Sequence, residues 1–169
     1  MTQQTDQDEM ERIETDEEQE EEEQEDEDTE EMLLEEADSE ERVRLIADAA
    51  DSLRASDILV LDLRDLTIIA DFFLICTGKS SIQIRSIADR IEERMREHGY
   101  RKLRIKGYQE ATWILLDYGD VVAHVMAAEQ RAFYNLEGFW SAAPQIELGL
   151  IAEPTTLAGS IATQPGVQG

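Results

Sequence analysis

Charge is spread so unevenly along this chain that most of its first quarter cannot join a packed core. Met1 to Glu41 holds 23 Asp and Glu against one Arg, a net of −22. Arg42 to Gly169 holds 17 acidic and 14 basic residues, a net of −3. Like charges repel, and the few apolar residues in the first stretch cannot offset the entropy of ordering a chain. Residues 1–38 are therefore expected to form a disordered acidic tail. Such a tail repels phosphate and disfavours nucleic acid. It suits a basic protein partner, or serves as a solubilising extension. The remaining chain is balanced in charge and long enough for one core.

Within that remainder, hydrophobic spacing sets out an α/β order. Val43, Ile46, Ala50 and Leu53 recur at helical steps from a start near Ser39. Ile58 to Leu63 and Phe72 to Thr77 are apolar runs of strand length. Ser80 or Ser81 caps a helix whose apolar face is Ile84, Ile87, Ala88, Ile91 and Met95, with Gly99 beyond its end. Leu103–Tyr108 is a short strand. Trp113–Tyr118 and Val121–Met126 form a hairpin across Gly119-Asp120, and Gln130 to about Glu137 makes a last short helix. The expected fold class is a mixed central sheet of about five strands with packed helices. The folded domain spans 39–140, and residues 141–169, rich in Ala, Pro, Gly and Thr, are a flexible low-complexity tail.

The chemistry-bearing residues point away from catalysis. One cysteine, Cys76, cannot form an internal disulfide and sits in the apolar FFLICT run, where it is a small hydrophobe. His124 lies mid-strand between valines, and two histidines and one cysteine make no visible metal cluster. Asp117 and Asp120 flank Tyr118-Gly119. With the Gly78–Ser81 turn they could hold a metal and a phosphate, as a nucleotidyltransferase does, although Asp also simply favours turns. Arg101, Lys102, Arg104 and Lys106 alternate with Leu103 and Ile105, a pattern that could face RNA but is more often a solvated edge. Aromatic residues gather late in the domain: Trp113, Tyr118, Phe133, Tyr134, Phe139 and Trp140, with Arg131 among them. These are the types that dominate protein interfaces. Core positions are expected for Trp113 and Phe133, and outward ones for Tyr118 and the Trp at the domain edge. No signal-peptide pattern and no run of membrane-spanning length is visible, so a soluble, cytoplasmic protein is expected.

Several of these blocks occur together in a recognisable series: DLRDL at Asp62–Leu66, IADFF at Ile69–Phe73, CTGKS at Cys76–Ser80, DYGDVV at Asp117–Val122 and FYNLE at Phe133–Glu137. The stretch from Arg42 to Trp140 resembles the ribosomal silencing factor family, also called Iojap-like proteins. The resemblance implies a nucleotidyltransferase-like core that catalyses nothing and needs no cofactor or metal. It implies binding to the large ribosomal subunit through ribosomal protein L14 (uL14). There it would sterically block association with the small subunit and repress translation. The contact surface it implies includes Trp113, Tyr118 and Tyr134, to which Asp117, Asp120 and Arg131 are added as rim contacts. Sequence-specific nucleic-acid binding is not expected, and pairing of two copies is a further expectation. The competing readings are a metal-dependent nucleotidyltransferase and a large-subunit assembly factor.

Overall fold

A computed structural model describes residues 38–147. The expectations for the two tails lie largely outside the described residues. Helix α1 covers residues 38–52. It is followed by β1 (Ser56–Asp62), β2 (Phe72–Gly78), α2 (Ser81–Glu97), β3 (Arg104–Lys106), β4 (Trp113–Asp117) and β5 (Val121–Ala127). Two short helices, α3 (Ala128–Tyr134) and α4 (Leu136–Phe139), lead to β6 (Gln145–Ile146). The strands form one mixed sheet in the order β3-β4-β5-β2-β1-β6. Among these strands only β2 and β5, at its centre, run parallel, and the chain between them forms α2, β3 and β4. The expected mixed sheet is thus present with six strands. The sixth is a two-residue strand after Pro144, too short to leave a period in the sequence, and it pairs with Val60 and Leu61 of β1.

Strand alternation divides the core in two. One face of the sheet carries Val60, Phe72, Leu74, Cys76, Ile114, Leu116, Ala123 and Val125, and α1 and α2 cover it. The other carries Leu61, Phe73, Ile75, Val122 and Met126, and is roofed only partly by Leu136, Trp140 and Ala143. The helices thus lie mainly on the first face.

Helix α2 is stopped and started by side chains the sequence announces. The Ser80 hydroxyl accepts from Gln83 N–H at 3.1 Å, and Gln83 Oε1 accepts from Lys79 N–H at 2.7 Å. At the far end Gly99 adopts φ +85°. Its N–H reaches Arg96 O, and Tyr100 N–H reaches Met95 O. This paired closure satisfies the last carbonyls and turns the chain sharply into the Tyr100–Lys102 corner.

A candidate docking face

The partly roofed side of the sheet is aromatic. Rings follow one another in contact from Phe133 to Tyr134 (centroids 5.1 Å), to Trp113 (4.7 Å), to His124 (5.8 Å) and to Phe73 (4.8 Å). The series continues to Trp140 (5.8 Å) and Phe139 (5.1 Å). Phe133 and Phe139 are about four-fifths exposed, at 80% and 77%, and Tyr134 is half exposed. Trp113 is half-buried. Large rings in these positions gain little from folding and remain free to be buried by something else.

His124 anchors the middle of this array. It lies on β5 opposite Leu115 and is 3% exposed. Trp113 Nε1–H donates to its Nδ1 at 3.1 Å. The ring proton therefore sits on Nε2, which has no hydrogen-bond partner among the described residues. Burial holds the His124 pKa down to about 4. A neutral imidazole fixing an indole is a positioning device for the face.

Arg131 ties the two short helices to the sheet. Its Nε donates to Glu137 Oε1 at 2.6 Å, and its Nη1 donates to Asp57 O at 2.7 Å and Thr77 Oγ1 at 2.9 Å. The Asp57 carbonyl is available because β1 bulges there: two residues, Asp57 and Ile58, oppose Cys76 alone. Asp57 adopts φ +49°, a conformation Asp tolerates better than most. Between α3 and α4, Asn135 takes φ 45°, and its Oδ1 accepts from Gly138 N–H at 3.1 Å. These contacts set where Phe133, Tyr134 and Phe139 point.

The six residues singled out in the sequence do not form one patch. Trp113 and Tyr134 are in ring contact, and Arg131 is in the same short helix as Tyr134. Asp117 lies on the same face but at the far end of β4, about 13 Å along the strand from Trp113. Tyr118 is on the opposite face, 7% exposed, within the cluster under α1 and α2. Alternation decides this: Trp113, Leu115 and Asp117 point one way, and Ile114, Leu116 and Tyr118 the other. The expectation that Tyr118 points outward is corrected here. The core position expected of Phe133 is corrected too, because α3 is too short to bury both sides. Burial holds the Tyr118 hydroxyl well above its usual pKa, and the Glu92 charge adds to this. Asp120 receives Arg42 Nη1 at 2.5 Å and so fastens α1 to the β4–β5 turn.

Asp117 is also engaged. Arg104 donates to its Oδ2 at 2.8 Å and Gly119 N–H to its Oδ1 at 2.9 Å. Burial pushes its pKa up, but these two bonds outweigh it and hold the carboxyl below the usual range. The Gly78–Ser81 turn is remote from it. Gly78 pairs with Ala127 at one end of β5, whereas Asp120 precedes Val121 at the other, roughly 20 Å away. The two parts of the imagined metal-phosphate site therefore do not meet. Among the described residues no group of three His, Cys, Asp or Glu is placed to hold a metal ion. Cys76 is fully buried, and burial pushes its thiol up to about 12 despite the Arg131 charge, so a thiolate is not populated near neutral pH.

Gly107 holds Trp113 in register. It has φ +77°, and a Cβ there would lie 2.0 Å from the Trp113 carbonyl oxygen. Gly107→Ala combines a left-handed backbone with a clash against backbone, so it should cost about 2 kcal/mol. Urea unfolding followed by tryptophan fluorescence checks this. An unchanged midpoint would mean the β3–β4 connection can relax freely.

Together these features define an α/β domain that presents a ribbon of rings on a half-covered sheet. Residues 36–165 match the family described as ribosomal silencing factor during starvation, and the chain belongs to that family. It is 42% identical over 106 residues to ribosomal silencing factor RsfS of Bacillus subtilis, covering 63% of this chain and 90% of the relative. It is 41% identical over 103 residues to the chloroplastic Iojap protein of Zea mays, covering 61% of this chain and 45% of that protein. A crystal structure from Bacillus halodurans superposes with a TM-score of 0.58 at 38% identity, covering 64% of this chain and 99% of the other. The family expected from the sequence blocks is thereby established. No helix among the described residues is long and apolar enough to cross a membrane.

Proposed function

We propose that this domain represses translation by docking its aromatic face on the large ribosomal subunit through ribosomal protein uL14, where it excludes the small subunit. The observation that carries this reading is the exposure of Phe133, Tyr134 and Phe139 in ring contact with the half-buried Trp113 and Trp140. A fixed aromatic patch beside a polar rim has the composition of an interface hot spot. Arg104 and Asp117, at the far end of the same face, supply polar groups for that rim. Tyr118, Asp120 and Arg131 serve the same surface from behind by fixing the turn and the short helices. Silencing of this kind is exclusion by mass action: occupancy of one binding mode removes the other. It breaks no bond and consumes no cofactor. We place it in the cytoplasm, where the subunits join.

Sedimentation of purified large and small subunits with and without the protein tests this. The protein should travel with the large subunit and reduce the joined peak. Phe133→Ala with Tyr134→Ala removes two exposed rings at little cost to the fold. It should weaken large-subunit binding by roughly 30-fold or more, the effect of losing at least one interface hot spot. A protein that stays at the top of the gradient, or a double variant that binds as well as the parent, overturns the reading.

A further inference from the structure

A second surface lies on the other side of the domain, at the corner where α2 ends. A cleft of about 270 Å³ there is lined by Glu92, Arg96, Tyr100, Arg101, Lys102 and Tyr118. Lys102 is paired with Glu92. Arg96 and Arg101 are exposed and form no ion pair among the described residues. The corner thus offers two uncommitted cations around one concavity, in a chain whose net charge is −25.

The excess negative charge enters the domain at this corner. Residues 1–37 hold 20 Asp and Glu against one Arg. They join α1 at residue 38, and one turn later Glu41 Oε2 accepts from the Tyr100 hydroxyl at 2.9 Å. Residue 38 is then only about 5 Å along the helix axis from a residue contacting the cleft wall. Arg42 lies over the same Tyr100 ring at 4.6 Å. Glu35 and Glu36 stand immediately before this junction. A tethered polyanion beside uncommitted cations has an effective concentration in the millimolar range or above, so even weak contacts are populated.

We propose that the acidic segment 1–37 docks intramolecularly on the Arg96–Arg101–Lys102 corner, with its carboxylates occupying the cleft beside Tyr100 and Tyr118. The occupant is the chain's own segment, because charge, tether length and point of attachment all select it. Its carboxylates meet the guanidinium groups as charge-assisted hydrogen bonds. The inference stands independently of ribosome docking, which uses the opposite face.

The chain contains three lysines, and their positions make the test direct. Lys102 is in the cleft, whereas Lys106, on the edge strand opposite Leu115, faces the other side of the sheet. Lys79 precedes α2, about 25 Å away at the other end of that helix. Carbodiimide coupling of the full chain joins carboxylates to lysine amines at zero length, and peptide mass spectrometry locates the joins. At about 50 mM salt, carboxylates of residues 1–37 should couple to Lys102 at least fivefold more than to Lys79. At about 500 mM salt, where the screening length falls to roughly 4 Å, the preference should disappear. Arg96→Gln with Arg101→Gln adds no carboxylate and should abolish the preference at low salt. The Lys102–Glu92 coupling within the domain reports that the fold is intact. Equal coupling to Lys79, persistence of the preference in the double variant, or joins formed between isotopically labelled and unlabelled copies would each overturn the proposal.

Discussion

Arg131→Met should lower the free energy of unfolding by about 3 kcal/mol, the range for removing one partner of a largely buried pair. The guanidinium side chain is only 15% exposed, and it joins α4 through Glu137, β1 through the Asp57 carbonyl and β2 through Thr77. Methionine fills similar volume but supplies no donor, so three acceptors lose their partner at once. Arg131→Lys should recover less than half of the loss, because an ammonium cannot reproduce the Nε and Nη1 fork. Urea titration measures both. Amide exchange should show the loss concentrated in α3 and α4, whose burial is slight. Large-subunit binding should fall with it, since the helices carrying Phe133, Tyr134 and Phe139 lose their fastening. A variant that loses binding while keeping the parent midpoint would instead make Arg131 a direct contact at the rim.

This role for Arg131 could not be read from the sequence, because its partners lie 74 and 54 positions upstream. The helix α2 was legible, because its apolar face, its Ser80 cap and the closing Gly99 are all local signals. The β4–β5 hairpin was legible for the same reason. Its facing was also encoded, since strict alternation from Trp113 sends Tyr118 inward. Judging Tyr118 by its place beside a turn overrides that period. The misplacement of Phe133 has a different cause: a seven-residue helix has too few turns to show which side is covered. The β1 bulge at Asp57 leaves no mark in the sequence either, because Asp is ordinary in loops and strands alike when φ is unknown. The aromatic ribbon is therefore half legible: Trp113, Phe133, Tyr134, Phe139 and Trp140 were visible as a cluster, whereas the inclusion of Phe73 and His124 and the arrangement of all the rings depend on pairing register and on distant tethers.

His124 makes the stability of the domain sensitive to mild acid. Its pKa of about 4 in the folded protein lies below the ordinary 6.5, and burial is the cause. Above pH 6.5 the imidazole is neutral in both folded and unfolded chains, and the group has no effect on the balance. As pH falls below 6.5, the unfolded chain takes up a proton that the folded chain refuses, and stability is lost until about pH 4, where both are charged. The gap corresponds to about 3 kcal/mol at roughly 1.4 kcal/mol per pH unit. Asp62 and Asp117 lie in a different window. Their carboxyls are held below 3.8 by Arg64 and by Arg104 with Gly119, so their contribution is present above that pH and falls away only in stronger acid. His124→Gln keeps an acceptor for Trp113 Nε1–H and removes the titration. The parent should lose about 3 kcal/mol between pH 6.5 and 4 in urea titrations, and the variant should lose only a small fraction of that. An unchanged slope in the variant would show that another group takes up the proton. Between pH 5 and 8 the folded imidazole stays neutral, so the Trp113 tether and the docking face should keep one geometry, and large-subunit affinity should be flat across that range. Burial thus excludes from switching the one residue type best suited to it, and makes it a fixed support for the face.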